Sequence, residues 1–381
     1  MRVVIASRIY LPEPAAASLR LHSLCVALLN RGVEVAVLTT RPPADSASES
    51  IPAGEVRRAW VLRDRDGYVR GYAQYMSFDI PLFFRLLFVK RPDVVVVEPP
   101  PTTGSVVRVV CALRRIPYVY YAADVWSDAA VNATTSRLVI RVLRALELFA
   151  WRGARAVLSV SEAMTRRLAE LGVVDTVQTV GNGVEPAHFT SDGAAVDLDA
   201  PYLVYTGTAS EVHGAVIFAK AFARIHPQRP EAVLVFVGQG SDWSELEEIA
   251  ATLPDGAIRL VPRVAPADVA AWLRGARGAL ASVRPGVGYG FAFPTKLYAA
   301  ALCGTPAIFA GEGPASEFLT DTDAGIAVAY DEAQVATAMQ QALDAAVDPE
   351  RRRAIRDWAQ RTAAGRSAAE GAAEAVMEVI A

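Results

Sequence analysis

The sequence predicts an α/β protein made of two doubly wound, Rossmann-like domains facing each other across a cleft, and three observations carry the prediction. The chain has 381 residues, too many for one ordinary core and suited to two domains of roughly 150–200 residues each. Short apolar runs alternate with segments of helical period along nearly its whole length, as in a parallel sheet covered on both faces. The alternation weakens once, in the polar, proline-terminated stretch HFTSDGAAVDLDAP (188–201), and then restarts. The stretch reads as a linker, giving domains over 1–190 and 191–365 and a terminal helix over 366–381 packing back toward the first domain.

The elements follow in order. Arg2–Ser7 is a β-branched strand, and Ala17–Arg31 has helical period and ends at Gly32, a suitable C-cap. Val33–Thr39 is a second strand. RPDVVVVEPPP holds a strand over Asp93–Glu98 bounded by prolines, followed by a helix over Thr103–Arg114 and a strand over Tyr118–Ala122. Arg137–Arg152 is a long helix, Ala156–Val160 a strand, and Ser161–Leu171 a helix that Ser159 or Ser161 can cap. Val177–Val180 closes the first half. Six strands then begin at Tyr202, Ala232, Ile258, Gly278, Ala307 and Gly325, with helices between and after them.

Composition excludes several classes. Hydrophobic residues make up 52% and charged residues 21%, so the chain can bury large cores. A net charge of -3 gives no sign of a nucleic-acid-binding surface. Cys25, Cys111 and Cys303 lie far apart among apolar neighbours, match neither a disulfide framework nor a metal site, and fit a reducing cytoplasm. The first apolar run, Val3–Ala6, is too short for a signal peptide, and no stretch approaches a membrane span. PLFFRLLFVKR (81–91) is apolar, aromatic and flanked by cations. It reads either as an ordinary buried helix or as a peripheral contact with the inner face of the membrane.

In doubly wound sheets ligands bind beyond the carboxyl ends of the strands, so the residues just after strands are the candidates. The loop after the first strand, SRIYLPEPAAAS, lacks the glycines of a dinucleotide fingerprint, and its polar candidates are Arg8, Glu13 and Arg20. AADVWSDAA places Asp124, Trp126 and Asp128 after another strand. Asp124 can accept hydrogen bonds from a hydroxyl-bearing substrate, or simply make an Asx turn. VGNGVEPAHF allows close backbone approach at Asn182 and Gly183. YTGTASEVHGA sets Gly207 and then His213 before a helix start, where free N–H groups can bind an anion. Most distinctive is FPTKLYAAALCGTP. The chain has only three lysines, Lys90, Lys220 and Lys296, among 38 basic residues, and Lys296 falls in the first turn of a helix. The helix dipole disfavours a cation there unless an anion such as a diphosphate shares the site.

These segments resemble family 4 glycosyltransferases of the two-domain GT-B type. The resemblance spans nearly the whole chain and rests on RPDVVVVEPPP, DVWSDAA, LELFAWRGARAVLSVSEAMTRRLAELGV, VGNGVEPAHF, FVGQGSDWSELEEIA, FPTKLYAAALCGTPAIFAG and DAGIAV. The nearest subgroup is the polysaccharide and O-antigen transferases of bacterial glycoconjugate synthesis. The resemblance implies a donor nucleotide sugar, UDP- or GDP-linked, held by the second domain, and a glycan, lipid-linked or small-molecule acceptor entering from the first. It implies retention of anomeric configuration with no metal or further cofactor. Lys296 and Arg284 would contact the diphosphate. Thr295 and the loop carrying Gly288, Tyr289, Gly290 and Phe291 would hold sugar or phosphate, and Arg263 lies in the VPRV segment that would face the base. Gly207, Thr208, His213 and Glu312 complete the donor side. Asp124 would position hydroxyls, with Arg8, Glu13, Arg20, Trp126 and Asn182 on the acceptor side.

The chain departs from the family pattern in places. Two glutamates usual in the family fall on Phe291 and Ala299, an arginine and lysine after the first strand of the second domain are replaced in a region carrying Thr208 and His213, and a first-domain histidine is Ala123. Glu312 or Glu317 is a candidate replacement carboxylate. The leading expectation is a hexosyltransferase. The alternatives are a non-catalytic nucleotide-sugar-binding or partner subunit and, more distantly, a nucleotide-sugar epimerase of the same fold. Nothing in the sequence names the nucleotide, sugar, acceptor, linkage or oligomeric state.

Overall fold

The structure is a computed structural model and describes residues 1–13, 15–43, 54–64, 67, 69, 71–133, 136–181, 184, 188–286, 293–361 and 368–380. Two units emerge, Met1–Asn182 together with Ala368–Ala381, and Gly183–Ser367. The first runs β1 (Arg2–Ala6), α1 (Ala16–Asn30), β2 (Glu34–Thr40), β3 (Glu55–Ala59), α2 (Tyr72–Phe88), β4 (Val94–Val97), α3 (Pro101–Arg114), β5 (Tyr118–Ala122), α4 (Trp126–Ala133), α5 (Arg137–Gly153), β6 (Ala156–Ser159), α6 (Glu162–Glu170) and β7 (Val177–Thr179). The second runs β8 (Tyr202–Thr208), α7 (Val216–Ile225), β9 (Val233–Gln239), α8 (Trp243–Ala250), β10 (Ile258–Pro262), α9 (Pro266–Gly275), β11 (Gly278–Ser282), α10 (Lys296–Leu302), β12 (Ala307–Ala310), α11 (Pro314–Thr322), β13 (Gly325–Val328), α12 (Glu332–Asp344) and α13 (Pro349–Arg361). The terminal helix α14 (Ala368–Ile380) belongs to the first unit.

Both sheets are parallel throughout. Their strand orders are β3-β2-β1-β4-β5-β6-β7 and β10-β9-β8-β11-β12-β13. Each therefore winds outward in both directions from its first strand, and the order reverses between β1 and β4 and between β8 and β11. The pleat sends alternate side chains to opposite faces. Val3, Ile5, Val35, Val37, Val94, Val96, Val119 and Tyr121 meet α1 and α14. The alanines of α14 (Ala369, Ala372, Ala373, Ala375) bring that helix close to the strands. On the opposite face Gly104 of α3 touches Tyr120 and Ala150 so closely that an added β-carbon would overlap both, while Tyr120 packs edge-on against Trp151 of α5 at 6.3 Å. In the second unit Leu203, Tyr205, Leu234 and Phe236 pack against Phe218 and Phe222 of α7 and Met339 of α12. Tyr202, Val204, Val233 and Val235 face α9 and α10.

Several sequence expectations shift. β3 and α4 carry too few periodic residues to be read as elements. α2 begins well before Pro81 and runs through it, although a proline is the usual mark of a helix start. Ser161, not Ser159, caps α6, its hydroxyl accepting from the Met164 amide at 3.1 Å. The stretch read as a linker packs on the second unit. The Val196 amide donates to Ala271 O at 3.0 Å, and Arg274 donates to Ala194 O at 2.8 Å and Thr190 O at 3.0 Å. The boundary thus falls at 182/183 rather than 190/191. Among the described residues no helix is long and apolar enough to cross a membrane.

Candidate functional site

The carboxyl ends of β8 and β11, on either side of the reversal, gather most of the described donor-side candidates of the second unit. Lys296 opens α10, whose amino end no side chain caps. Its ammonium nitrogen is buried and has no hydrogen-bond partner among the described residues. It lies over the Tyr205 ring, 3.5 Å from the centroid. The Tyr205 hydroxyl is turned away, donating to Thr208 O at 2.8 Å. Gly207 has a φ of 95°, and a β-carbon there would stand 3.9 Å from Lys296 Nζ, so glycine leaves the approach to the nitrogen open. Burial holds the Lys296 amine well below its ordinary value, the response expected of a cation without a counter-ion.

His213 stands beside this nitrogen. Its pKa is lowered to about 3, by burial first and by Lys296 second, and its Nδ1 pairs with the Ser210 hydroxyl at 2.8 Å. The loop is pinned on three sides. Ser282 Oγ of β11 donates to His213 O at 2.6 Å, Tyr330 donates to Gly214 O at 2.7 Å, and the Arg284 amide donates to Val212 O at 2.9 Å. The Arg284 guanidinium is half exposed, with Glu211 at 3.9 Å. Thr208 ends β8, exposed, and Thr295 occupies the N-cap position of α10. Arg263 is exposed at the end of β10, two strands from β8, and is not brought to Lys296. Glu312 is exposed in the turn after β12. Gly288, Tyr289, Gly290, Phe291 and Asn182 lie outside the described residues. A cavity of about 370 Å³ lies at the opposite, amino-terminal edge of this sheet, where Gly278, Pro306 and Gly325 line it, away from Lys296.

The first unit has its own cluster at the β1–β4 reversal. Glu98, just beyond β4, is buried and fully engaged. Ser7 Oγ donates to it at 2.7 Å and Arg20 Nη2 at 2.9 Å. Arg20 also lies 4.9 Å from the Tyr121 ring centroid. Arg8 stacks between Tyr75 (5.1 Å) and Trp126 (5.7 Å) and donates to Val69 O at 2.5 Å. Asp124 is half-buried beside this pair of arginines and hydrogen-bonds no described residue. Burial raises its carboxyl, Glu98 adds to the rise, and Arg20 and Arg8 oppose it.

The sequence from residue 16 to 183 matches a family model described as a glycosyl transferase 4-like domain, and residues 200–345 match one described as glycosyl transferases group 1. The chain belongs to the GT4-like glycosyltransferases. Among solved structures, Anabaena HepE in complex with UDP and glucose aligns over 99% of this chain and 98% of its own, at 16% identity and a TM-score of 0.72. WaaG, a glycosyltransferase involved in lipopolysaccharide biosynthesis, aligns over 98% of each chain at 16% identity and a TM-score of 0.75. Sucrose-phosphate synthase from Thermosynechococcus elongatus covers 100% of this chain and 94% of its own, at 16% identity and a TM-score of 0.72. These likenesses establish the GT-B fold. No curated protein matches the sequence.

Within this transferase some sequence candidates are already committed to structural bonds. Both carboxylate oxygens of Glu13 are taken by Arg63, at 3.1 and 2.8 Å. Asp128 is held by Arg144 at 2.6 Å and by Arg167 at 2.7 and 2.9 Å. Ala299, where the family places a glutamate, is 3% exposed among Ala270, Leu273 and Cys303. Other residues went unnoticed in the sequence. Glu98 carries a local signal, a carboxylate that closes VVVV and precedes prolines. Asp79, in α2, is buried with Oδ1 accepting from Thr103 at 2.6 Å and Oδ2 unpartnered; burial raises its carboxyl. Glu147 caps α4 through the Trp126 amide at 2.5 Å and the Ser127 amide at 3.2 Å, and burial lifts it to about 7. Among the described residues no group of three or more His, Cys, Asp or Glu side chains could hold a metal ion.

Proposed function

We propose that this glycosyltransferase moves a hexosyl group from a nucleotide sugar to a glycan, lipid-linked or small-molecule acceptor, retaining the anomeric configuration. The observation that carries the reading is the buried, unpartnered Lys296 nitrogen at the strand-order reversal of the second unit. An uncompensated buried cation is costly, and a diphosphate beside it supplies the missing charge and restores its proton. As the bond from the anomeric carbon to the phosphate oxygen breaks, negative charge grows on the leaving diphosphate. Lys296 and the half-exposed Arg284 stand ready for that charge before it develops, which is how electrostatic preorganisation lowers a barrier. A divalent ion would otherwise meet the same charge, so none is needed in this reading, and EDTA leaves turnover unchanged.

The donor we favour is UDP- or GDP-linked, and UDP has the support of HepE, solved with UDP-glucose. Asp124, whose carboxylate hydrogen-bonds no described residue and feels the charges of Arg20 and Arg8, accepts hydrogen bonds from sugar or acceptor hydroxyls. The described cysteines are buried and unpaired, which supports a cytoplasmic site of action. Ala299 and Phe291, where glutamates are usual, favour a second reading in which the protein binds donor without turning it over.

Thermal shift and hydrolysis with UDP, GDP, TDP and ADP sugars, on wild type and Lys296→Ala, test the proposal. One donor should raise the melting temperature and be slowly hydrolysed, with both effects gone in the variant. A shift without turnover, also absent with added acceptor glycans, points to the binding subunit. No shift with any donor overturns the diphosphate site.

A further inference from the structure

Sixteen of the seventeen large hydrophobic side chains exposed among the described residues lie in the first unit; the exception is Val347. They are concentrated on three neighbouring helices that cover one face of the sheet, with α2 packed on α3 and α3 on α5. Each helix carries an outward apolar stripe. Ile80, Phe84 and Phe88 follow one another at four-residue intervals along α2, so they share one side of it. Val109 and Leu113 repeat the spacing on α3, and Leu138 and Val142 on α5, where Val139 joins them. Phe88 is 79% exposed, Leu138 67% and Leu113 65%. None of the three stripes is covered by another described part of the first unit. Apolar patches of this extent on a soluble surface mark a contact.

The charge around the stripes says with what. Between residues 72 and 155 there are eleven arginines and lysines and six carboxylates, in a chain whose total charge is -3. Most of the six are withdrawn. Asp79, Glu98 and Glu147 are buried, Asp128 is clamped by Arg144 and Arg167, and Asp124 is half-buried. Helices α2, α3 and α5 thus carry no exposed carboxylate. Arg137 and Arg141, beside Leu138 and Val142, are exposed and form no ion pair with a described residue. Arg108 lies over the exposed Phe149 ring, 4.1 Å from its centroid.

We propose that the outer face of α2, α3 and α5 docks the protein on an anionic lipid surface. Phe84, Phe88, Leu138 and Val142 enter the headgroup boundary, and Arg137 and Arg141 meet lipid phosphates. Apolar side chains interleaved with cations, on helices lying flat against the body of the protein, suit an interface with one charged and one apolar layer. The face extends the contact considered for 81–91 alone to three helices. It does not depend on the identity of the donor.

The test is co-sedimentation of the full chain, without nucleotide sugar, with vesicles of phosphatidylcholine mixed with phosphatidylglycerol and of phosphatidylcholine alone. Its failure therefore leaves the transferase reading standing. Wild type should bind the mixed vesicles roughly tenfold better than the neutral ones, and lose most of that binding at high salt. Phe84→Glu/Phe88→Glu and Arg137→Glu/Arg141→Glu should each abolish binding while melting like wild type; Phe88→Ser serves if the first pair misfolds. Failure of wild type to bind anionic vesicles overturns the proposal, as does equal binding by the variants. A wild-type dimer that the same substitutions dissociate, without vesicle binding, overturns it in favour of self-association.

Discussion

The carboxyl ends of the two sheets are furnished differently, although the sheets wind alike. In the first unit the buried charges at the reversal are largely paired off: Arg20 with Glu98 at 2.9 Å, and nearby Arg63 with Glu13 at 2.8 Å. In the second a lysine nitrogen is buried over an aromatic ring, with no counter-ion among the described residues and a neutral histidine for company. Cations matched within the fold hold a loop in place. A buried amine left without a partner is the observation on which the proposed diphosphate site rests. The same sheet topology thus carries paired charges at one reversal and, at the other, a buried amine with no hydrogen-bond partner among the described residues.

The sharpest way to break the contrast is at Lys296. Lys296→Met should lower kcat/KM for donor hydrolysis by roughly 100-fold or more, about 3 kcal/mol of transition-state stabilisation. The same variant should melt a few degrees higher without ligand, since it removes an unsatisfied buried group worth roughly 1–3 kcal/mol. A lower melting temperature would mean that the ammonium is compensated after all. Glu98→Gln attacks the other side of the comparison. It leaves Arg20 buried without its carboxylate, and urea unfolding should show a loss of roughly 3–5 kcal/mol. A loss under 1 kcal/mol would place that pair with ordinary surface ion pairs.

Smaller effects sharpen the picture. Gly214 sits at a φ of 60° and its added β-carbon would overlap the Tyr330 hydroxyl. Gly214→Ala should cost roughly 1–3 kcal/mol and displace the loop bearing His213, read as a weaker donor-induced thermal shift; an unchanged shift would free that loop of any role. The smallest effect concerns pH. The folded pKa of His213, about 3, lies below its ordinary 6.5, so the unfolded chain takes up the proton first as pH falls. Its contribution to stability is intact above 6.5 and is lost progressively toward 3, on the order of 1 kcal/mol by about pH 5.5. His213→Gln should flatten that part of the stability curve, and parallel curves for the two proteins would contradict the buried, neutral ring.

Much of this was readable in the chain itself. Alternation of apolar runs with helical periods depends only on neighbouring residues, so it exposed the doubly wound plan and most strand positions, the four valines of β4 among them. Lys296 stood out through the scarcity of lysine and its place at a helix start. Both are properties of a short window of sequence. What the sequence left open was pairing at a distance. Whether Glu13 faces a substrate or Arg63 depends on a residue 50 positions away. Whether Asp128 is free depends on Arg144 and Arg167, and whether Glu98 matters depends on Arg20, 78 positions earlier. Ala299, aligned with a position where the resemblance expects a glutamate, is packed in the core. Local periodicity dictates backbone form because it is satisfied within a few residues. The fate of a charge is decided by whichever partner the assembled sheet brings within about 3 Å, and only the tertiary structure makes that choice.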